Sequence, residues 1–158
     1  MNAPVRLPAE AAAPMAAAHA EAFHRPWSAD DIAALAASPA VAAFGIEEGG
    51  ALAGFVLVQA AGGDAEILTL AVRPPARRRG LGLALVEAAA GHARGAGAAA
   101  LWLEVAEDNA AATALYRLAG FDVAGRRKGY YRRESGVRVD ALMMRRTLNM
   151  DRGSSYSP

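Results

Sequence analysis

The sequence predicts a mixed α/β (α+β) fold in which helices flank a central sheet. Three strand-like segments follow one another in the middle of the chain, at residues 41–47, 51–60 and 66–72, and the remainder alternates between helical and strand-like patterns. Strands in succession, followed by a β-α-β-α-β order, favour a single sheet with helices on its faces. The 158 residues have room for one domain with a real core. We expect that domain to span residues 1–148 and residues 149–158 to form a disordered tail.

The composition excludes several classes of protein. Hydrophobic residues make up 54% of the chain, which indicates a folded protein, and the formal net charge of +1 predicts neither a nucleic-acid nor a membrane partner. The absence of cysteine excludes disulfides and a thiolate nucleophile, and it suits a reducing cytoplasm. Signal-peptide and membrane-span patterns are not found in the sequence. We therefore expect a cytoplasmic protein that is a monomer or a weak dimer.

The first forty residues predict a short strand and two helices. Residues 5–7 suggest an edge strand, and residues 9–23 are alanine-rich and helical, with Pro14 near the first turn. Ser28 fits the N-cap of a second helix, because Asp30 and Asp31 follow in the first turn, where the helix dipole favours negative charge. That helix should end near residues 38–39.

The second half of the chain alternates between helices and strands. Leu81, Leu85, Ala88 and Ala89 form the apolar face of a helix that runs from residue 81 to about residue 94. The elements expected after it are a strand at residues 99–105, a helix at 109–118 closed by Gly120, and two strands at 121–126 and 138–146 around a polar loop.

A basic glycine-rich turn precedes the helix at residue 81. Gly80 and Gly82 allow backbone N–H groups to turn toward a ligand, and the helix N-terminus adds partial positive charge to that of Arg77, Arg78 and Arg79. Together these groups suit a pyrophosphate. The turn lacks the Gly-Lys-Ser/Thr of a P-loop and the third glycine of a dinucleotide motif. An ordinary basic loop that caps a core helix is the alternative interpretation.

These residues resemble the acetyl-CoA motif of the GNAT superfamily of N-acetyltransferases, Gln/Arg-x-x-Gly-x-Gly/Ala after a strand. Here Arg77, Gly80 and Gly82 follow a strand that ends at Val72. The resemblance extends over residues 27–144, and its other parts are Pro26-Trp27-Ser28, Leu101-Trp102-Leu103-Glu104-Val105, Asn109-Ala110-Ala111-Ala112, Ala114-Leu115-Tyr116, Gly120-Phe121 and residues 126–131. Within the superfamily, the sequence is similar to the bacterial ribosomal-protein-alanine N-acetyltransferases, which act on the N-terminal alanine of small-subunit ribosomal protein number eighteen.

The resemblance implies a fold of about seven strands and four helices, with the sheet splayed between the strands at 66–72 and 99–105. It also implies that acetyl-CoA is the acetyl donor, that no metal is needed, and that the acceptor is the N-terminus of a ribosomal protein. The implied cofactor-binding residues are Leu70, Ala71 and Val72 for the pantetheine, Arg77, Arg78, Arg79, Gly80, Leu81, Gly82 and Leu83 around the pyrophosphate, and Asn109 and Tyr116.

Two residues are candidates for proton transfer. Glu104 is a carboxylate inside an apolar strand, and alternation places it with Trp102 on the face opposite Leu101, Leu103 and Val105. An apolar setting favours the protonated form of a carboxylate, which suits a general base acting through a water. Tyr116 lies two helical turns beyond Asn109, and the resemblance implies that its phenol protonates the leaving thiolate. The alternatives are a salt bridge for Glu104 and simple packing for Tyr116.

The acceptor side is less sharply indicated. Tyr130, Tyr131 and Trp27 are candidates for the substrate-binding residues, with hairpin packing and a helix-start contact as alternatives. His19, His24 and His92 have no spacing typical of a metal site or triad. Residues 126–146 are strongly basic, and Val139 stands before Asp140 where relatives often carry a second acid, which puts the peptide preference in doubt. Arg126 and Arg127 could instead lie near the cofactor's phosphates.

Several functions remain open from the sequence. The acceptor could be a small-molecule amine, such as an aminoglycoside or polyamine, or a lysine side chain. A non-catalytic acyl-CoA-binding module would need neither Glu104 nor Tyr116. An enzyme that acetylates aminoacyl-tRNA should be more basic than +1.

Overall fold

A computed structural model of the chain describes residues 2–148, which form one seven-stranded sheet with four α-helices. The strand order is β1-β2-β3-β4-β5-β7-β6, and the pairing of β4 with β5 is parallel whereas the other pairings are antiparallel. The strands are β1 (Val5–Leu7), β2 (Val41–Glu48), β3 (Ala51–Ala61), β4 (Asp64–Val72), β5 (Ala100–Ala106), β6 (Asp122–Arg132) and β7 (Arg138–Thr147). The helices are α1 (Ala12–Ala22), α2 (Ala29–Ala36), α3 (Leu81–Gly95) and α4 (Ala110–Leu118). The predicted mixed fold is confirmed, and the predicted tail at 149–158 lies outside the described residues.

The starts of the first two helices follow local rules that the sequence made visible. A 3₁₀ turn at Ala9–Ala11 leads into α1, and Pro14 lies in its first turn, where its missing N–H costs nothing. Ser28 caps α2: its Oγ accepts the Asp31 N–H at 3.0 Å, and the Asp31 carboxylate accepts the Ser28 N–H at 3.3 Å. This reciprocal pair satisfies two N–H groups that would otherwise lack partners at the helix start.

The sheet is split between β4 and β5. Their ladder consists of two register pairs, Ala65 with Leu101 and Glu66 with Trp102. Beyond these pairs the two strands separate, so the remaining length of β4 is bonded on its β3 edge and no longer to β5. The expected splay is confirmed, and it opens at the carboxyl ends of both strands.

A β-bulge changes which residues of β4 face each layer. The register with β3 passes from Ile67 opposite Val58 to Thr69 opposite Leu57, which leaves Leu68 as an extra residue. Before the bulge, Ala65 and Ile67 pack toward α3; after it, Leu70 and Val72 take that side. Thr69 and Ala71 consequently face the layer of α1 and α2.

Two hydrophobic cores cover the two faces of the sheet. The first, on what we call the α3 face, contains residues of α3 and β5 that include Leu85, Leu101 and Leu103. The second, on the α1 face, contains Met15, Ile32, Phe55, Leu57 and Ala71. Burying a leucine-sized side chain stabilises a fold by about 1.5–3 kcal/mol, so both layers hold the sheet firmly on either side of the split.

Two predicted details are corrected. β6 extends to Arg132, so Tyr130 and Tyr131 belong to the strand and not to the polar loop. The reason is a bulge between Arg127 and Tyr131, which Asp140 supports by accepting the Gly129 N–H at 2.8 Å.

On α3, Ala88 is only half-buried, because the buried face also runs through Val86, Ala90 and Ala93. Alanine at so many positions obscures the helical periodicity.

No helix among residues 2–148 combines the length and the apolar character that a membrane crossing requires.

The backbone at Gly80 makes one prediction about stability. Gly80 has φ +83° immediately before α3, and a Cβ there would meet no neighbour, so the constraint is conformational and not steric. We expect Gly80→Ala to destabilise the fold by about 1–2 kcal/mol, since L-residues disfavour this region. Gly91→Ala, in the same helix with open space around it, is the matched control and should stabilise by about 0.5–1 kcal/mol. Urea denaturation measures both, and an equal shift for the two variants would contradict this account.

Candidate active site

The start of α3 leaves backbone donors without partners. The N-cap residue Gly80 has no side chain to accept a hydrogen bond, and the first i to i−4 bond runs from the Ala84 N–H to the Gly80 carbonyl at 3.0 Å. Within the part of the chain that the structure describes, the N–H groups of Leu81, Gly82 and Leu83 donate to no protein acceptor. Three parallel N–H groups at the positive end of a helix suit an anion.

The three arginines of this loop have different surroundings. Arg77 donates from Nε to the Val72 carbonyl at 3.0 Å, and Arg79 forms an ion pair with Glu48 at the end of β2. Arg78 adopts φ +65°, and among residues 2–148 it has no ion pair or side-chain hydrogen bond. Arg78 is therefore the loop cation whose charge is left available, whereas Arg77 ties the loop back to the end of β4.

Gly82 serves packing between helices. A Cβ at this position would lie 3.0 Å from Cδ2 of Leu115 on α4, so the glycine allows α3 and α4 to approach closely. The sequence had assigned both glycines to the approach of a ligand. In the structure, the left-handed backbone explains the glycine at Gly80 and the contact with Leu115 explains the one at Gly82, and the approach of a ligand stays a prediction at both positions.

Two predicted site residues lie on α4: Asn109 is its N-cap, and Tyr116 lies about two turns further along the helix. Asn109 caps the helix, with Oδ1 accepting the Ala112 N–H at 3.1 Å, while its Nδ2 has no partner among the described residues. Tyr116 is buried in the α3-face core and meets the ring of Phe121 edge-on at 5.8 Å. Burial raises the pKa of Tyr116 to about 12, so its phenol stays protonated at physiological pH.

Glu104 lies on the α1 face of β5, beyond the last pair with β4. The Tyr131 hydroxyl donates to its Oε2 at 3.3 Å, and Nε of Arg127 lies 3.8 Å from its Oε1. The expected apolar setting is therefore wrong. The reason is long-range: the β6–β7 hairpin folds so that Arg127 and Tyr131 reach this carboxylate, which the alternation within β5 could not show.

A second carboxylate at the split was missed by the sequence reasoning. Glu66 is in register with Trp102 and shares its face with Glu104. Partial desolvation raises the pKa of Glu66, the charge of Glu104 raises it further, and Arg127 opposes both. The two carboxylates thus interact across the opening, and the alternation of Glu66 with Ala65 and Ile67 was the signal that could have found it.

The predicted acceptor residues are divided between two walls. Tyr131 contacts Glu104, while Tyr130 is exposed and lies under the Arg127 guanidinium, 5.1 Å from the ring centroid. Trp27 stacks on the His19 ring at 5.2 Å and packs in the α1-face core with Ile32. The loop that carries Trp27 reaches the hairpin turn, where Nε2 of His24 and Oε2 of Glu134 are 2.7 Å apart.

The suggestion that Arg126 lies near a cofactor's phosphates does not fit the structure. Its Nη1 donates to Glu107 at 2.7 Å and to Asp140 at 2.9 Å. No group of histidine and acidic side chains among residues 2–148 has the arrangement of a metal site.

Comparison with known proteins settles the family. Residues 12–121 match the model of the acetyltransferase (GNAT) family. The chain belongs to this family. Being a GNAT protein, it is an acetyl-CoA-dependent N-acetyltransferase, as the sequence predicted. The divergence of β4 and β5 and the uncapped start of α3 are thus features of a GNAT enzyme.

Individual relatives agree with this assignment. The chain is 39% identical over 107 residues to the [ribosomal protein bS18]-alanine N-acetyltransferase of Escherichia coli strain K12, covering 68% of this chain and 72% of the relative. The crystal structure of the ribosomal-protein-S18-alanine N-acetyltransferase from Escherichia coli superimposes with a TM-score of 0.87 at 32% identity over 99% of this chain and 100% of that one. The crystal structure of nourseothricin acetyltransferase matches with a TM-score of 0.64 at 35% identity, covering 70% of this chain and 66% of that one.

The charges around the split make a prediction that needs no substrate. We expect Glu104→Gln to lower the pKa of Glu66 toward its ordinary value, because a negative neighbour is removed. We expect Arg127→Gln to raise it further, because a positive neighbour is removed. Titration of the Glu66 side-chain carboxyl by ¹³C NMR distinguishes the two. Arg94→Gln on α3 is the control and should leave the pKa of Glu66 unchanged. Shifts of the Glu66 pKa in the same direction for the first two variants would refute the arrangement.

Proposed function

We propose that this enzyme transfers the acetyl group of acetyl-CoA to the N-terminal α-amine of ribosomal protein bS18, an alanine, in the cytoplasm. The separation of β4 from β5 carries the proposal. The gap between the two strands lies between the Glu104 side chain of β5 and the end of β4 that leads to the start of α3. The choice of acceptor is supported by the similarity to the Escherichia coli enzymes named above.

The residues at the split fit acetyl-CoA by their chemistry. Leu70, Ala71 and Val72 are bonded to β3 on one edge and have no β5 partner on the other, so their backbone can accompany an extended pantetheine. The N–H groups of Leu81, Gly82 and Leu83, the turn at Gly80 and the charge of Arg78 suit the pyrophosphate, with Arg77 and Arg79 shaping the loop. Asn109 can offer its unpaired Nδ2. When bound, acetyl-CoA supplies an acetyl group activated as a thioester.

Proton transfer is assigned to two side chains. A carboxylate oxygen of Glu104 accepts a proton from the acceptor ammonium through a water, which frees the amine to attack. Tyr131 holds the carboxylate by donating to Oε2, so the geometry of the base depends on the hairpin. The Tyr116 hydroxyl, which is protonated at physiological pH because its pKa is about 12, donates its proton to the departing sulfur. A non-catalytic acyl-CoA-binding module would need neither group.

A small-molecule amine is the second candidate acceptor. The match to nourseothricin acetyltransferase favours it, since that protein is named for acetylating a small molecule. The two candidates differ in the acceptor-side walls, which here consist of the loop at 23–28 and the β6–β7 hairpin.

The catalytic assignment predicts a separation between turnover and binding. Glu104→Gln and Tyr116→Phe should each lower kcat by about a hundredfold or more, the usual range for one acid–base group. Acetyl-CoA affinity, measured by calorimetry, should stay within about twofold, because neither side chain is assigned to hold the phosphates. Glu10→Gln, in the exposed 3₁₀ turn before α1, is the control for a carboxylate-to-amide change away from the split and should retain near wild-type kcat. Wild-type turnover in both catalytic variants would show that the assignment is wrong.

The acceptor is tested directly by mass spectrometry of intact ribosomal proteins from cells with and without the enzyme. In cells without the enzyme we expect the acetylated form of bS18 to be replaced by the unacetylated form, which is lighter by about 42 Da because a hydrogen stands where the acetyl group was. An unchanged pattern would remove the ribosomal acceptor and favour the small-molecule one.

A further inference from the structure

Apart from the Tyr116 phenol, two polar side chains of the described residues are buried, and they contact each other. His19 on α1 is 2% exposed and Thr69 on β4 is 8% exposed. His19 Nε2 and Thr69 Oγ1 are 3.1 Å apart, although 50 residues separate them in the sequence. A buried polar pair costs desolvation, so its place in the fold calls for a physical reason.

A second hydrogen bond fixes the state of the imidazole. The Trp27 backbone N–H donates to His19 Nδ1 at 3.1 Å, so Nδ1 carries no proton and Nε2–H donates to Thr69. The ring is stacked between Phe23 at 4.2 Å and Trp27 at 5.2 Å. Burial lowers the pKa of His19, which keeps the ring in this neutral form. One side chain therefore joins α1, the loop before α2 and β4.

The two partners of His19 border the proposed acceptor opening. Thr69 lies on the part of β4 that has separated from β5, directly before Leu70. The loop that contains Trp27 contacts the turn of the β6–β7 hairpin through His24 and Glu134. The same hairpin contacts Glu104, because the Tyr131 hydroxyl donates to its carboxylate. The α3 face is covered by the α3 core, so an acceptor reaches Glu104 from the side on which this loop lies.

We propose that His19 is a positioning residue for the acceptor, joining Thr69 at the edge of the split to the backbone of Trp27 and so holding the 23–28 loop as one wall of the acceptor opening. This inference rests on the proposed function for its meaning in catalysis. It concerns the loop and the acceptor, and it assigns His19 no contact with acetyl-CoA and no proton transfer.

The experiment uses variants that separate stacking from hydrogen bonding. His19→Phe keeps an aromatic ring between Phe23 and Trp27 but removes both hydrogen bonds. Thr69→Val removes only the contact with β4, and it tests the inference even if His19→Phe folds poorly. His19→Asn offers an acceptor near the Nδ1 position and is the rescue variant. His92→Phe is the control, since His92 likewise lies against an aromatic ring, Phe44 at 5.8 Å, but near the far end of α3 and away from the 23–28 loop.

The first readout is the loop itself. Hydrogen exchange of the Trp27 amide, followed by NMR, should be at least about tenfold faster in His19→Phe than in the wild type, because the part-buried N–H loses its acceptor. The rate should be partly restored in His19→Asn and unchanged in His92→Phe. Unchanged exchange at Trp27 in His19→Phe would overturn the inference.

The second readout is kinetic, with acetyl-CoA and a synthetic peptide of the bS18 N-terminus. We expect the KM for the peptide to rise about tenfold in His19→Phe and less in Thr69→Val, while kcat and the KM for acetyl-CoA stay within about twofold. A parallel rise of both KM values, or a loss that His92→Phe reproduces, would reduce His19 to a stabilising residue. If the wild type does not acetylate the peptide, the proposed acceptor is wrong, and the Trp27 exchange still decides the role of His19.

Discussion

The site depends on the point at which β4 and β5 stop pairing. Two register pairs, ending at Glu66 and Trp102, hold the strands together, and beyond them the backbone of β4 lacks a neighbour on that edge. An unpaired strand edge inside a fold is costly unless something satisfies it. A ligand that runs along β4 would supply the missing hydrogen-bond partner, so the gap between β4 and β5 suits a binding site. The proposed roles of Glu104 and Tyr116 in proton transfer depend on a ligand in that gap.

The two faces of the sheet serve different purposes because of the bulge at Leu68. Ile67 and Leu70 both reach the α3-face core although they are three positions apart, while Thr69 is turned toward α1. Without the extra residue, Thr69 would keep the orientation of Ile67 and could not meet His19. A single irregularity in β4 therefore anchors the split segment to α3 packing on one side and to the acceptor loop on the other.

The sequence predicted what short-range patterns determine. The N-cap at Ser28, the helix that begins after Gly80 and the alternation around Glu104 are local, and the structure has the cap, the helix start and the strand face where they were expected. The missed features are contacts between distant segments: Tyr131 with Glu104, and His19 with Thr69. Periodicity shows which face a residue occupies, but it does not show which strand lies opposite or where pairing ends. For the same reason, the roles of the candidate site residues stay predictions.

The structure gives Asp140, at the start of β7, a role within the β6–β7 hairpin. The sequence left open whether Val139, in place of a second carboxylate, weakens the grip on a basic acceptor. Asp140, however, uses Oδ1 for the Gly129 N–H and Oδ2 for Arg126, and these contacts lower the pKa of its carboxyl. An acid whose two oxygens are committed within the hairpin shapes the strand that presents Tyr131 and has little left for a peptide. If the acceptor binds as proposed, its ammonium meets the negative charge of Glu104 and Glu66 at the split, which Arg127 partly offsets.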